Sequence, residues 1–315
     1  MYGWPMLDEV SMIKRIDQSD MLGCIDAFPG HVRETIEVLK AVQIFKLIKV
    51  DNVIISGMGG SGIAGEIVAE LFRDKIDVPI CVNREYDLPK WTRKDTLAVF
   101  LSYSGNTEET LSAFKIASQK KCACICITSG GKLEEFAGKR GVTVVKIPSG
   151  LQPRAAIGYL LYSLIYIFQK TGVLTHFIDA DVEESIAIAS EVIRENAVVV
   201  DEASNPAKQM ARQLHGSIPQ FYGWGIYAPI ATRWRYQFNE NSKLIARSEV
   251  IPEGNHNDIV GWGCNPEAAQ YFSCILLRDR GLESIYLGKR FDFMKTVFSD
   301  SVRHVIDVPV KGHST

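Results

Sequence analysis

From about residue 50 the chain alternates short, continuous apolar runs with longer stretches of helical periodicity. Residues 52–56 (NVIIS) read as a strand buried on both faces, and residues 62–72 as a helix entered through a glycine turn. Further strands are predicted at 78–82, 97–103, 122–128 and 142–147, with helices over 107–119 and 132–137. Alternating strands and helices joined by glycine-rich turns predict a parallel sheet with helices on both faces. Right-handed connections then gather the loops after successive strands at the carboxyl edge of that sheet.

The segment from Pro153 (PRAAIGYLLYSLIYIFQK) is apolar on nearly every side, which predicts a core helix with proline in its first turn. Residues 171–179 read as a linker, followed by helices at 182–195 and 205–215. A second α/β pattern comes next. It has strands at 219–222, 246–251, 271–277, 284–287 and 303–308, and helices at 226–238 and 291–298. The fold class is therefore α/β, with two domains of similar build divided near residues 150–180.

Composition narrows the function. The net charge of -2 argues against a nucleic-acid partner, which would require a basic excess. The opening MYGWPMLDEVSMIKRID lacks a basic segment followed by an apolar one, and the apolar run near 157–168 is too short for a bilayer. The expected address is cytoplasmic, with no membrane partner. Seven cysteines do not suggest a disulfide framework. Cys122, Cys124 and Cys126 alternate along a strand and would share one face. A metal site would want a histidine or a further cysteine pair at ligand spacing, so packing in the core is the favoured reading.

The strongest chemical signal is S-Y-S-G-N-T-E-E-T, Ser102 to Thr110, directly after the apolar run 97–101. A strand running through Ser, Gly, Asn and Thr into a helix builds an anion cup from hydroxyls, free backbone N–H groups and the positive end of the helix dipole. Phosphate is the usual occupant. GMGGSG (57–62) and TSGG (128–131) are two more glycine- and hydroxyl-rich loops expected at the same edge. Gly57, Gly59 and Gly62 also fit a dinucleotide fingerprint, but the acidic residue it wants is poorly matched by Val82-Asn83-Arg84-Glu85. The alternative has Gly60 and Ser61 lining a sugar-phosphate pocket beside the cup.

Arg154 opens an apolar helix, an expensive place for a guanidinium without a partner. It is read either as a structural salt bridge or as the stabiliser of a developing oxyanion. Glu240 lies in FNEN at the end of an aromatic-rich helix, and His256 in the polar loop PEGNHND. A carboxylate and an imidazole are the minimal kit for moving protons on a sugar, though a solvated glutamate and an exposed histidine are the ordinary readings.

GMGGSG, SYSGNTEET, TSGG, PRAA, FNEN and EGNHND, in this order, resemble the bifunctional phosphoglucose/phosphomannose isomerases, members of the phosphoglucose isomerase superfamily. The resemblance covers roughly residues 50–310. It implies two sugar-isomerase (SIS) domains: an N-terminal one over 1–150 with a helical segment ahead of it, a connecting helix and linker over 151–180, and a C-terminal one over 181–315. It implies that Gly60, Ser61, Ser102, Ser104 and Thr107 hold the phosphate of a hexose 6-phosphate. Glu240 would move a proton between C1 and C2, Arg154 would stabilise the cis-enediolate, and His256 would assist ring opening. That histidine would come from the neighbouring subunit of a homodimer, and no metal or organic cofactor would be used. Members of the family continue past the position of Val310 with a helical segment carrying a catalytic lysine, and Lys311 to Thr315 offers no match to it. Two other classes fit the same cup: another SIS phosphosugar isomerase, or a non-catalytic SIS module that needs neither Glu240 nor His256.

Overall fold

A computed structural model describes residues 7–175 and 179–312. Residues 1–6 of the opening, 176–178 of the expected linker and 313–315 of the expected ending lie outside the described residues. The chain divides into two compact units. Among the described residues, the first holds 21–175 and 179–189, and the second joins 7–20 with 190–312.

The elements begin with α1 (Val10–Ile16), which belongs to the second unit, then α2 (Met21–Asp26) and α3 (Phe28–Ala41). The first sheet and its helices follow: β1 (Asn52–Gly57), α4 (Gly59–Leu71), β2 (Ile80–Asn83), β3 (Thr96–Leu101), α5 (Glu108–Gln119), β4 (Ala123–Thr128), α6 (Gly131–Gly138) and β5 (Thr143–Lys146). One 3-10 turn over Pro153–Ala155 leads into α7 (Ile157–Thr171). The five strands are all parallel, in the order β2-β1-β3-β4-β5. β1 and β3 are buried along their whole length, as strands covered on both faces must be. The chain moves outward from β1 through α4 and outward the other way from β3 through α5. Right-handed crossovers therefore put those helices on opposite faces and open a crevice above the carboxyl ends of β1 and β3.

Cys126 is buried in the α5–α6 layer with Phe100, Phe114 and Leu133, and Cys122 and Cys124 pack against the same cluster. Burial pushes the Cys124 thiol up to about 12. All three are free thiols packed as small apolar groups.

α8 (Asp179–Glu195) crosses the division between the units. The second unit then contains α9 (Pro206–Leu214), β6 (Ile218–Gly223), α10 (Tyr227–Gln237), β7 (Arg247–Val250), α11 (Asp258–Cys264), α12 (Pro266–Ala269), β8 (Phe272–Arg278), α13 (Ile285–Ser299) and β9 (His304–Pro309). Its four strands are parallel, in the order β7-β6-β8-β9. Phe221 and Ile275 point to one face, towards Trp234 of α10, while Tyr222 and Cys274 point to the other, towards Phe291 and Phe298 of α13. The N-terminal stretch is tied in by Lys208, whose buried Nζ donates to Asp8 Oδ1 at 2.9 Å and to the carbonyls of Val198 and Val200.

The strand expected at 284–287 is instead the start of a helix. Ser284 Oγ accepts from the Leu287 N–H at 3.2 Å and caps α13. Leu287, Phe291, Met294 and Phe298 are buried, a helical stripe that overrides the β-favouring Ile285-Tyr286 pair at its head.

Candidate active site

Four segments converge at the carboxyl edge of the first sheet: the loops after β1, β3 and β4, and the 3-10 turn after β5. Thr107, in extended conformation, is the N-cap of α5, and the first helical bond runs from the Leu111 N–H to its carbonyl at 3.0 Å. The preceding turn of N–H groups faces outward, as at any helix start. The Thr107 hydroxyl shares a 2.9 Å hydrogen bond with buried Ser102 Oγ. Ser104 Oγ accepts from the Asn106 N–H at 3.3 Å, and buried Ser61 Oγ accepts from the Tyr103 N–H at 3.3 Å.

Gly105 closes this cup with φ of +66°, a region that disfavours side chains, and a Cβ there would lie 1.8 Å from the Gly130 carbonyl oxygen. The TSGG loop is therefore pressed against SYSGNT. Asn106 Oδ1 accepts from the Lys132 N–H at 3.2 Å, and the Leu133 N–H donates to the Gly105 carbonyl at 2.9 Å. Gly60 sits with the backbone of Pro153 and Arg154 so near that a Cβ would be 3.1 Å from Arg154 Cα. Residues far apart in the chain thus become neighbours. The dinucleotide-like spacing has a packing cause as well, since a Cβ on Gly62 would meet the Gly57 carbonyl oxygen at 2.5 Å. Arg84 was not singled out by its sequence context, yet it stands beside the same glycine loop, pairing with Glu66 and with its Nε 3.3 Å from where a Gly62 Cβ would be.

In the second unit, Glu240 is exposed on a single π-helical turn, Phe238–Ser242, that extends α10. Such turns are rare and are often found at functional positions. Lys243, at φ of +57°, ends the turn and donates to the Glu240 carbonyl, while Asn239 Oδ1 accepts from the Ala246 N–H at 3.0 Å. Arg233, one helical face back on α10, is held down to about 10 by burial, opposed by the charge of Glu240. It remains a cation at neutral pH and accompanies this carboxylate, a partner that the sequence pattern did not reveal.

His256 is exposed after the short turn Glu253–Asn255, with its N–H donating to the Glu253 carbonyl at 2.9 Å. The loop is anchored by Asp258. Its Oδ2 accepts from the Tyr222 hydroxyl at 2.5 Å and from Trp262 Nε1 at 2.8 Å.

Topology separates Glu240 from His256. α10 leaves the carboxyl end of β6 and runs back across the sheet, so Glu240 lies at the amino edge, just before β7 begins at Arg247. His256 follows the carboxyl end of β7, where the Ile251 N–H donates to the Gly223 carbonyl at 2.9 Å. A four-residue strand, roughly 13 Å at about 3.3 Å per residue, stands between the two levels. The structure brings the serine/threonine loop residues and Gly60 to the same sheet edge as Arg154, and it does not bring Glu240 to His256.

A cleft at the carboxyl edge of β8 and β9 includes Arg278, Asp279, Arg280 and Asp307, and contains none of the expected site residues. Its buried guanidinium, Arg278, is taken up by Glu283 and Asp292. No helix among the described residues is long and apolar enough to cross a membrane.

Two parallel α/β units, the first with a serine/threonine cup at a helix start, define a double SIS-domain protein. Residues 46–137 match the SIS domain family, and residues 203–315 match the bacterial phospho-glucose isomerase C-terminal SIS domain family. A bifunctional phosphoglucose/phosphomannose isomerase from Caldicellulosiruptor bescii is 38% identical over 288 residues, covering 91% of this chain and 84% of the relative. A relative of the same description from Thermoplasma volcanium is 42% identical over 214 residues, covering 68% of this chain and 64% of the relative. The fold is similar to that of a hypothetical protein from Thermus thermophilus, with a TM-score of 0.71, 14% identity, and 98% and 83% of the two chains covered. The chain belongs to the bifunctional phosphoglucose/phosphomannose isomerase family.

Proposed function

We propose that this protein is an aldose–ketose isomerase interconverting glucose 6-phosphate, and also mannose 6-phosphate, with fructose 6-phosphate. The observation that carries the reading is the convergence of Ser61, Ser102, Ser104 and Thr107 at the start of α5, with Arg154 backed onto Gly60. Phosphate held in that cup, with Gly60 backbone beside it, supplies binding energy remote from the reacting carbons.

Glu240 is the base. Removing the proton α to the carbonyl leaves charge on oxygen, and the Arg154 guanidinium stabilises the resulting cis-enediolate. Returning the proton to the neighbouring carbon completes the isomerisation, and return to either face of C2 gives the glucose or the mannose epimer. His256 exchanges a proton with the ring oxygen or the anomeric hydroxyl during ring opening. Its position at the opposite edge of the sheet from Glu240 supports a homodimer in which each histidine serves the partner's site. The reaction requires neither a metal nor an organic cofactor, and a place in glycolysis and gluconeogenesis in the cytoplasm follows from the substrate.

The test is an NMR assay of fructose 6-phosphate in deuterated water. Solvent deuterium at C1 of the ketose and at C2 of both aldose products is expected, because an enediol exchanges with solvent. Turnover without any deuterium incorporation would point to hydride transfer instead, and no turnover would remove the isomerase reading.

A further inference from the structure

Tyr103 lies between the two cup serines, and every polar group it has is bonded to a different loop of the site. Its N–H donates to Ser61 Oγ at 3.3 Å, in the loop after β1. Its carbonyl accepts from the Ser129 N–H at 3.0 Å and from Ser129 Oγ at 2.6 Å, in the loop after β4. Its hydroxyl donates to the Pro148 carbonyl at 3.0 Å and accepts from the Leu151 N–H at 2.8 Å, in the loop after β5.

That third loop runs directly into the turn that presents Arg154. The Ala155 N–H donates to the Gln152 carbonyl at 2.8 Å, so the turn begins one residue after the tyrosine's last contact. Tyr103 is only 6% exposed, and phenylalanine would fill the same volume. What the hydroxyl adds is a donor and an acceptor used at once, both on the backbone of one loop. A buried phenol needs such partners, and a loop without regular structure gains a fixed position from them.

We infer that Tyr103 is a positioning residue that fixes the Arg154 turn relative to the phosphate cup. The inference rests on the isomerase reading, in which Arg154 meets the enediolate. A guanidinium displaced by about 1 Å loses much of its advantage in the transition state, while the phosphate contacts persist.

Tyr103→Phe tests this in the full chain. The expected result is a fall in kcat of at least about tenfold, with KM for fructose 6-phosphate changed less than about threefold. The fall should vanish in an Arg154→Ala background, since two residues acting through one group are not additive. Hydrogen exchange at the Leu151 amide should accelerate. Leu151→Pro, which deletes the donor and keeps the tyrosine, should show the same selective kcat loss and covers the case of a poorly folded Tyr103→Phe chain. Unchanged kcat, an equal fall in both backgrounds, or parallel changes in kcat and KM would overturn the inference while wild-type activity leaves the isomerase reading intact. A wild-type chain that turns over neither sugar ends that reading and this inference with it.

Discussion

Thr107 and Ser104 show how a single residue serves two purposes. A threonine N-cap ordinarily turns its oxygen to the helix N–H groups, but the Thr107 hydroxyl bonds Ser102 and does not cap those donors. Ser104 is exposed and its Oγ accepts one bond, so its hydroxyl proton can reach an anion. Ser104→Ala together with Thr107→Ala should therefore weaken fructose 6-phosphate binding by at least about a hundredfold. Each bond to a charged group is worth about 1.5–3 kcal/mol, and about 1.4 kcal/mol is tenfold. Isothermal calorimetry measures this directly, and undiminished affinity would place the phosphate elsewhere. These residues were legible in the sequence because the cup is local: six consecutive positions carry the turn, the hydroxyls and the cap. Arg233 was not, because its relation to Glu240 depends on burial.

At the scale of elements, the His256 loop owes its place to Asp258, at the first position of α11. The carboxylate is favoured there by the helix dipole and also satisfies the Tyr222 hydroxyl and Trp262 Nε1. Asp258→Ala leaves both donors without that acceptor, and Tyr222 is 1% exposed. A loss of about 2–6 kcal/mol is expected, from about 1–3 kcal/mol for each of the two stranded groups. The denaturant midpoint should fall with little change in slope, and an unaltered midpoint would show that the loop is held by other contacts. α11 escaped notice in the sequence since Gly261 and Gly263 interrupt its short pattern. The mistaken strand at 284–287 has a related cause: over four residues β-propensity outvotes a helical stripe that becomes visible only out to Phe298.

At the scale of the whole molecule, the proposal that each His256 serves the partner's Glu240 can be tested through assembly. If each histidine serves the partner's site, Glu240→Gln and His256→Ala chains should complement each other when mixed. A hybrid dimer has one site with both wild-type groups, and up to about half of wild-type activity per hybrid is expected by two-fold symmetry. Steady-state turnover after subunit exchange, with exchange verified by native mass spectrometry, is the measurement. Persistent inactivity despite exchange would mean that His256 acts within its own chain or takes no part.

The sequence by itself determined the class and the cup. Parallel α/β units follow from apolar runs of strand length alternating with helical periods, and the serine/threonine loop at the start of α5 follows from residues adjacent in the chain, so both are written in local pattern. Which distant residues meet was decided only by the tertiary structure. Gly60 touches Arg154 because β1 and the turn after β5 share one edge of the sheet, and Tyr103 reaches three loops for the same reason. Glu240 and His256 are only sixteen positions apart in the sequence, yet the return path of α10 and the length of β7 hold them apart. Crossover connections set the edge at which a residue emerges, and that is a property of strand order, which no local pattern encodes.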